Sequence, residues 1–437
     1  MRFDRLAFAA AVAALAGAPA AAQVPLTPRA LGMGGAYIGV ARGQESLWQN
    51  PANLGLSNTP YWSAGIPTLS LGIGARGVDV EALGDLIQYD DLTAEERSAL
   101  LADVPASGTG ADVDFRAPFI ALQMRRFAVG LGYRVVGSHT INRGIVDLVL
   151  NGFDREKTYT IDDTEGFRAD FWDVAGAYGR RVGPVSVGAT AHWYLPRQVV
   201  RSGLVDVDTT YSVISGFTVP TDVRVTYAGV GAEGGSGFGL DLGIAAEPIP
   251  GLTLSAALEN VINTVEWSDD LTVRSVTLDQ GDYVSGDPEQ IWSEYSDSGR
   301  PYNAATDVVQ PWSRLADSVT ADLDRGLPAV LRAGAAYRVG TGTTLSAAFQ
   351  TELGDDNPFG GMWGQQASLG VQQKIPVITL RAGFATDMED GTLLSGGLSL
   401  GPIQLGVGVI RTGSGDDERS GWIATFGLGG RSDPSLP

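Results

Sequence analysis

Few residues in this chain are suited to chemistry. The 437-residue sequence has two histidines, His139 and His192, and no cysteine. Neither histidine has a second metal-binding side chain at ligand spacing, so a zinc centre is not expected. Gly397-Leu398-Ser399-Leu400-Gly401 matches the G-x-S-x-G pattern of serine hydrolases. That chemistry needs a strand, a sharp turn and a helix to lift the serine clear of its sheet. Here the run lies in an alternating Gly-rich stretch, followed by Pro402 and another alternating stretch, so it reads as plain strand. Gly229-Val230-Gly231-Ala232-Glu233-Gly234 matches G-x-G-x-x-G, yet no helical pattern follows to receive a pyrophosphate. Acidic runs such as Asp387-Met388-Glu389-Asp390 offer oxygen ligands to a hard cation, but none has EF-hand spacing. They read as a solvated, self-repelling surface. The expectation is a non-enzymatic protein with no catalytic residue, no metal and no cofactor.

The elements around these residues are strands. In Ser236–Pro248, Phe238, Leu240, Leu242 and Ile244 share one face, and Gly239, Asp241 and Gly243 share the other. Gly251–Val261 and Thr344–Leu353 alternate in the same way, one face greasy and one small or polar. Connections alternate between short and long. Arg125-Arg126, Val182–Pro184, Gly340–Gly342 and Lys374–Pro376 are among the short ones. The long ones, roughly 76–114, 149–167 and 267–326 among them, carry much of the acid. The breaks delimit about 14 strands, with short turns at one end and long loops at the other. A soluble sandwich has no reason to segregate loop length in this way. The predicted fold is all-β, a transmembrane antiparallel barrel. Strands are expected at 127–148, 222–247 and 251–266, among others. Trp62, Trp172, Trp193, Tyr194, Tyr337, Trp363 and Trp422 fall near predicted strand ends, where rings suit a lipid–water interface.

The first residues predict export. Arg2 and Arg5 precede a short apolar run, and Ala20-Ala21-Ala22 offers a cleavage site, so 1–22 reads as a signal peptide. No later run is apolar enough for a membrane helix. The net charge of −20 argues against nucleic acid. Residues 60–430 are then the barrel wall, with a long outer loop at about 267–326, and 431–437 a periplasmic tail. An even strand number puts both mature termini on the periplasmic side of a bacterial outer membrane.

Residues 23–59 precede the wall and are not strand-like. A barrel this wide has a lumen to fill, so the segment is expected to fold inside as a plug. Asn50-Pro51 would end a short helix and turn the chain. Val80–Val104 is expected to be partly helical, with a capping box read from Thr93. If the greasy faces meet lipid, Arg134, Asp241, Glu259, Arg332, Arg338, Glu352 and Arg381 face inward, with Gln350 and Lys374. A charge on the lipid face at mid-depth costs about 2–4 kcal/mol, which favours this assignment. Mixed signs suggest an ion-pair network beside the plug, and a subset of arginines offers a site for a ligand carboxylate.

Two blocks carry a family resemblance. Arg29-Ala30-Leu31-Gly32-Met33-Gly34-Gly35-Ala36-Tyr37 precedes Leu47-Trp48-Gln49-Asn50-Pro51-Ala52-Asn53-Leu54. The pair resembles the start of mature FadL-like outer-membrane proteins. That superfamily includes long-chain fatty-acid transporters, aromatic-hydrocarbon channels and the PorV-type proteins of type IX secretion. The resemblance implies a 14-strand barrel and passive uptake of hydrophobic or amphipathic small molecules, leaving through the wall or past the plug. Trp48, Asn50, Pro51 and Ala52 would then form the gating turn. It implies outer-membrane lipid and a hydrophobic ligand as partners. The PorV-like alternative is a non-enzymatic interaction protein with an envelope protein partner. One departure is the end of the chain, Gly421–Pro437, where many such barrels close on an aromatic residue.

Overall fold

The computed structural model describes residues 27–76, 93–106, 108–151, 164–214, 217–268, 270–281, 292–296, 300–303, 310–323, 327–354, 365–413 and 419–432. The signal-peptide residues, Val80–Ile87 and Trp363 lie outside them.

Antiparallel strands join edge to edge until the last meets the first. They are β1 (Trp62–Arg76), β2 (Thr109–Met124), β3 (Phe127–Ile141), β4 (Glu165–Val182), β5 (Val185–Ile214) and β6 (Phe217–Glu233). There follow β7 (Gly235–Ile249), β8 (Leu252–Asn263), β9 (Glu266–Trp267), β10 (Leu271–Gly281), β11 (Trp292–Ser296) and β12 (Arg300–Pro301). The rest are β13 (Ala329–Val339), β14 (Thr343–Leu353), β15 (Gln365–Lys374), β16 (Ile378–Thr386), β17 (Thr392–Leu400), β18 (Ile403–Thr412) and β19 (Arg419–Arg431). Ring closure is the β1–β19 pair, Ser63 opposite Arg431 through Arg76 opposite Arg419.

The wall has fourteen strands because some elements stack end on end. β6 and β7 are one descending strand. Gln198 faces Glu233 and Tyr194 faces Gly237, so pairing with β5 resumes in register across the break. The break is Gly234-Gly235, whose φ values of 82° and 151° suit glycine. β8, β9 and β10 form the next tall strand, since β10 continues the pairing against β6. The upper parts of β5, β6 and β10 rise above the rest of the wall. The described residues of the predicted loop at 267–326 are therefore mostly strand and helix, and the strand predicted at 251–266 continues beyond its expected end. The strand predicted at 127–148 stops at Ile141. Asn142 then accepts the Gly144 N–H at 2.7 Å and starts a helix, Arg143–Asn151. The helix expected in the first long connection is Ala94–Asp103, with the Thr93–Glu96 capping box in place.

Strand alternation sorts the side chains. Leu242, Ile244, Leu331, Tyr337, Leu369 and Val407 are exposed on the outside, while Asp241, Ala245, Arg332, Ala336 and Ser368 are buried. A large apolar outer surface with a polar inner one is the reverse of a water-soluble barrel and matches a lipid-facing wall. No described helix is long and apolar enough to cross a membrane. Tyr194 departs from its predicted place. It is 5 % exposed and faces the lumen, whereas its neighbour Trp193, at 61 %, faces out.

Candidate functional site

The short-turn half of the lumen is filled by residues 27–59. Four short elements lie in the segment: α1 (Pro28–Leu31), capped by Thr27, a tight turn at Gly43–Glu45, α2 (Ser46–Gln49), and a second tight turn at Pro51–Gly55. α2 stops at Asn50, which is extended and accepts the Ala52 N–H at 2.9 Å, so the chain turns there as expected. The segment bonds strands right round the ring. Gly34 N–H donates to Ser395 on β17, Ser346 on β14 donates to Ala36 O, and Gln44 N–H donates to Ser63 on β1. Asn50 Nδ2 donates to Ile244 O on β7 and Ala256 O on β8, at 3.0 and 3.1 Å. Ser186 on β5 donates to Ala52 O at 2.6 Å. Partners on opposite walls place the segment inside.

Close approach requires missing side chains on the wall. A Cβ on Gly243 would overlap Asn50 Oδ1, and one on Gly383 would overlap Gly34 N. This accounts for part of the chain's high Gly content. Within the segment, Arg29 and the Tyr37 hydroxyl both donate to Glu45 Oε2, at 3.2 and 2.6 Å.

Trp48 closes the floor of a cavity of about 110 Å³. Leu327, Pro328 and Phe171 line its upper side, and charged residues line its walls. Arg116 holds Asp114 through two nitrogens, and Arg332 meets Glu259 at 2.6 Å. His192 lies between two carboxylates, Nδ1 at 2.9 Å from Asp173 and Nε2 at 3.0 Å from Asp241. Its ring stacks on Tyr194 and lies 6.0 Å from that of Trp48. Strand β8 bulges here. Asn260 has φ of 51°, and its backbone N–H donates to Asp241 Oδ1 at 2.8 Å while its side-chain Oδ1 accepts from the Tyr194 hydroxyl at 2.9 Å. The bulge brings one backbone N–H and one side-chain amide of Asn260 together with the Asp241 carboxylate and the Tyr194 hydroxyl.

Four of the predicted inward residues, Arg134, Asp241, Glu259 and Arg332, meet in this cavity. Arg381 is buried lower down, donating to Ser399 Oγ at 2.8 Å and Gln372 Oε1 at 2.9 Å. Ser399 is therefore an arginine acceptor on a wall strand, and Gly229–Gly234 runs along β6 into its break. Glu352 is half-buried near the upper end of β14. Arg338 and Lys374 are corrections. Both are exposed beside short turns, beyond the lumen that the alternation alone assigned them. The sequence reading missed Asp173 and His192. Alternation along β4 and β5 puts both on the inner face, but their pairing across strands has no local signal. Among the described residues no cluster of His, Asp or Glu suits a metal ion.

Above the cavity lies an apolar cap. The helix Gln310–Leu323, here α5 (Ala94–Asp103 and Arg143–Asn151 being α3 and α4), lays Leu315 and Ala316 on Val205, Ala228 and Val230. Val319 joins Phe167, Phe171, Tyr194 and Trp267. Arg201 grips Asp322 at 2.6 and 3.2 Å and covers the Phe167 ring at 4.8 Å.

On the outer wall, an open groove of about 910 Å³ lies between exposed Ile120, Val129, Val174, Trp193 and Phe238. His192 borders it as well as the cavity. Only Gly130, Gly176 and Gly237 stand at several intervening wall positions. The strand pairing is irregular nearby, with shifts at Pro118/Ile120 and at Leu240/Leu242.

No protein-family model and no curated protein matches the chain. Solved structures do. The CymD monoaromatic hydrocarbon channel is 15 % identical, aligned over 93 % of this chain and 97 % of its own, at a TM-score of 0.53. The Pseudomonas putida toluene transporter TodX is 12 % identical, aligned over 94 % of this chain and 98 % of its own, at a TM-score of 0.50. At such identities the likeness is one of fold, and the fold is that of the FadL-like hydrocarbon channels.

Proposed function

We propose that this FadL-fold barrel is an outer-membrane channel for passive uptake of hydrophobic or amphipathic small molecules. Both termini would be periplasmic and the short turns would face the periplasm. The observation that carries the reading is the meeting, at His192, of a lumen cavity and an apolar groove on the outer wall. A solute entering past the cap would reach the cavity with the N-terminal segment blocking the way down. The thin glycine wall then offers a sideways path into the groove. The fold is shared with channels described as carrying monoaromatic hydrocarbons or toluene, which supports a small solute with an apolar body. In this reading residues 23–59 are the plug, and Trp48, Asn50, Pro51 and Ala52 hold its turn against the wall.

The charged cavity lining favours solutes with one polar end. Moving a wholly apolar molecule past Arg116, Arg332 and the His192 carboxylates gains no contact that replaces their hydration, whereas a head group that bonds them does. The test is uptake into liposomes carrying the purified barrel, using an alkyl-chain probe quenched inside. Uptake above that of empty liposomes is expected, with Gly176→Phe slowing it. A Cβ on Gly176 meets nothing within 4 Å, so the new ring fills the groove without disturbing the wall. Equal uptake with and without the barrel overturns the proposal.

A further inference from the structure

The two ends of the barrel differ in charge as well as in loop length. At the short-turn end, Arg125 and Arg126 form the β2–β3 turn, and Arg180 and Arg181 lie at the end of β4. Arg338 closes β13 and Lys374 closes β15. All six are exposed. Glu247 is the carboxylate beside these turns among the described residues, and it is engaged by Ser57 at 2.6 Å and by Arg42 at 4.0 Å. The long-loop end has the opposite sign, with Glu95, Glu96, Asp387, Glu389 and Asp390 in its connections.

What surrounds the six cations narrows the partner. Each adjoins an exposed apolar side chain at the edge of the outer band. Met124 (64 %) and Phe127 (62 %) flank the first pair, Val182 (54 %) follows the second, Tyr337 and Val339 bracket Arg338, and Ile375 follows Lys374. The arginine pairs at the rim of this lipid-facing surface stand at headgroup depth, where phosphates are, whereas Arg338 and Lys374 alternate with their outward neighbours and turn toward the mouth of the lumen. Some of these groups are held in place. The Arg125 guanidinium lies 5.1 Å over the Tyr61 ring, and Arg181 Nε donates to Gly183 O at 3.2 Å. The cations are also spread around the ring, from the β2–β3 turn to the end of β15. A single protein partner would bind one sector. An annulus of lipid would meet both arginine pairs, at the β2–β3 turn and at the end of β4.

We propose that this rim binds the phosphate groups of anionic phospholipids in the leaflet at the short-turn end. A guanidinium takes two phosphate oxygens at once, so the arginine pairs are the stronger sites. The proposal rests on the membrane placement argued above, but not on any solute passing through the lumen. The test is native mass spectrometry of the barrel released from nanodiscs of equal phosphatidylglycerol and phosphatidylcholine. Co-elution of barrel and nanodisc first establishes insertion, so a failed membrane placement is seen separately. The barrel is expected to retain several phosphatidylglycerol molecules in preference to phosphatidylcholine. Arg125→Gln/Arg126→Gln and Arg180→Gln/Arg181→Gln should each weaken that preference by about fivefold or more. Arg125→Lys/Arg126→Lys should keep part of it. The shift of folded barrel on unboiled gels checks that the variants are folded. Equal retention of the two lipids by the wild type overturns the proposal, as does a preference unchanged in both double variants. An acidic envelope protein captured through the same arginines, without lipid preference, also overturns it.

Discussion

The lumen is occupied at two levels, and the two fillings are built differently. Below the cavity, the N-terminal segment is joined to the wall by main-chain and amide hydrogen bonds and by glycines that leave room for its backbone. Above it, α5 rests on aliphatic and aromatic side chains, with one ion pair, Arg201–Asp322, as its strongest polar attachment. Many directional bonds spread around a ring fix position and must break together. A greasy contact with one charged clasp can slide and re-form. The lower closure is thus suited to stay and the upper one to yield.

The largest effect should come from removing the space the segment uses. Gly243→Leu would drive a side chain into Asn50 and is expected to expel the Asn50 turn, turning a closed barrel into a leaky one. Planar-bilayer conductance should rise severalfold while the barrel stays folded. A closed, unchanged barrel would break the comparison. Asn50→Ala is the milder version. It leaves two buried carbonyls, Ile244 O and Ala256 O, without the amide, at about 1–3 kcal/mol each. Cleavage of the segment by a protease in detergent should speed up accordingly.

The upper closure should respond more locally. Asp322→Asn weakens the clasp on α5, and about 1–3 kcal/mol of cap stability is expected to go. The chain has no cysteine, so Val319→Cys can report on cap opening through its rate of labelling from outside. That rate should rise in Val319→Cys/Asp322→Asn and stay unchanged when Asn50→Ala is added instead. If both variants label alike, the closures are one unit and the contrast fails.

The smallest effect concerns α3. Glu96 accepts from the Thr93 hydroxyl and backbone N–H, and these bonds hold its carboxyl below the usual carboxylate range. A depressed folded pKa contributes stability above the unfolded pKa and loses it as pH falls through the folded one. The α3 amides should therefore exchange faster with solvent in acid, starting just below the ordinary glutamate range. Thr93→Ala should show fast exchange at every pH and little further change on acidification.

Much of the barrel was legible because its information is local. Alternation in Ser236–Pro248, hairpin punctuation and the segregation of loop length are read within about ten residues, the span of one membrane crossing. What was not legible is set across the ring. The continuation of β8 into β10 depends on β6 lying alongside, so Leu271–Gly281 looked like loop. Asp173, His192 and Asp241 come together because β4, β5 and β7 are neighbours in the wall, although Asp241 lies far along the chain from the other two. Parity correctly turned Arg332 and Arg338 the same way, but depth along β13 decides that one meets Glu259 and the other meets solvent. The turn at Asn50-Pro51 was readable from proline stereochemistry, whereas its partners on β7 and β8 were not.

The most direct test of the central claim is native mass spectrometry of the barrel extracted in mild detergent from the membranes in which it is made. A small amphipathic or hydrophobic molecule is predicted to remain bound, and Val330→Trp, which fills the cavity, should displace it. A lumen that is empty in every preparation, with an envelope protein retained in its place, would contradict the uptake account.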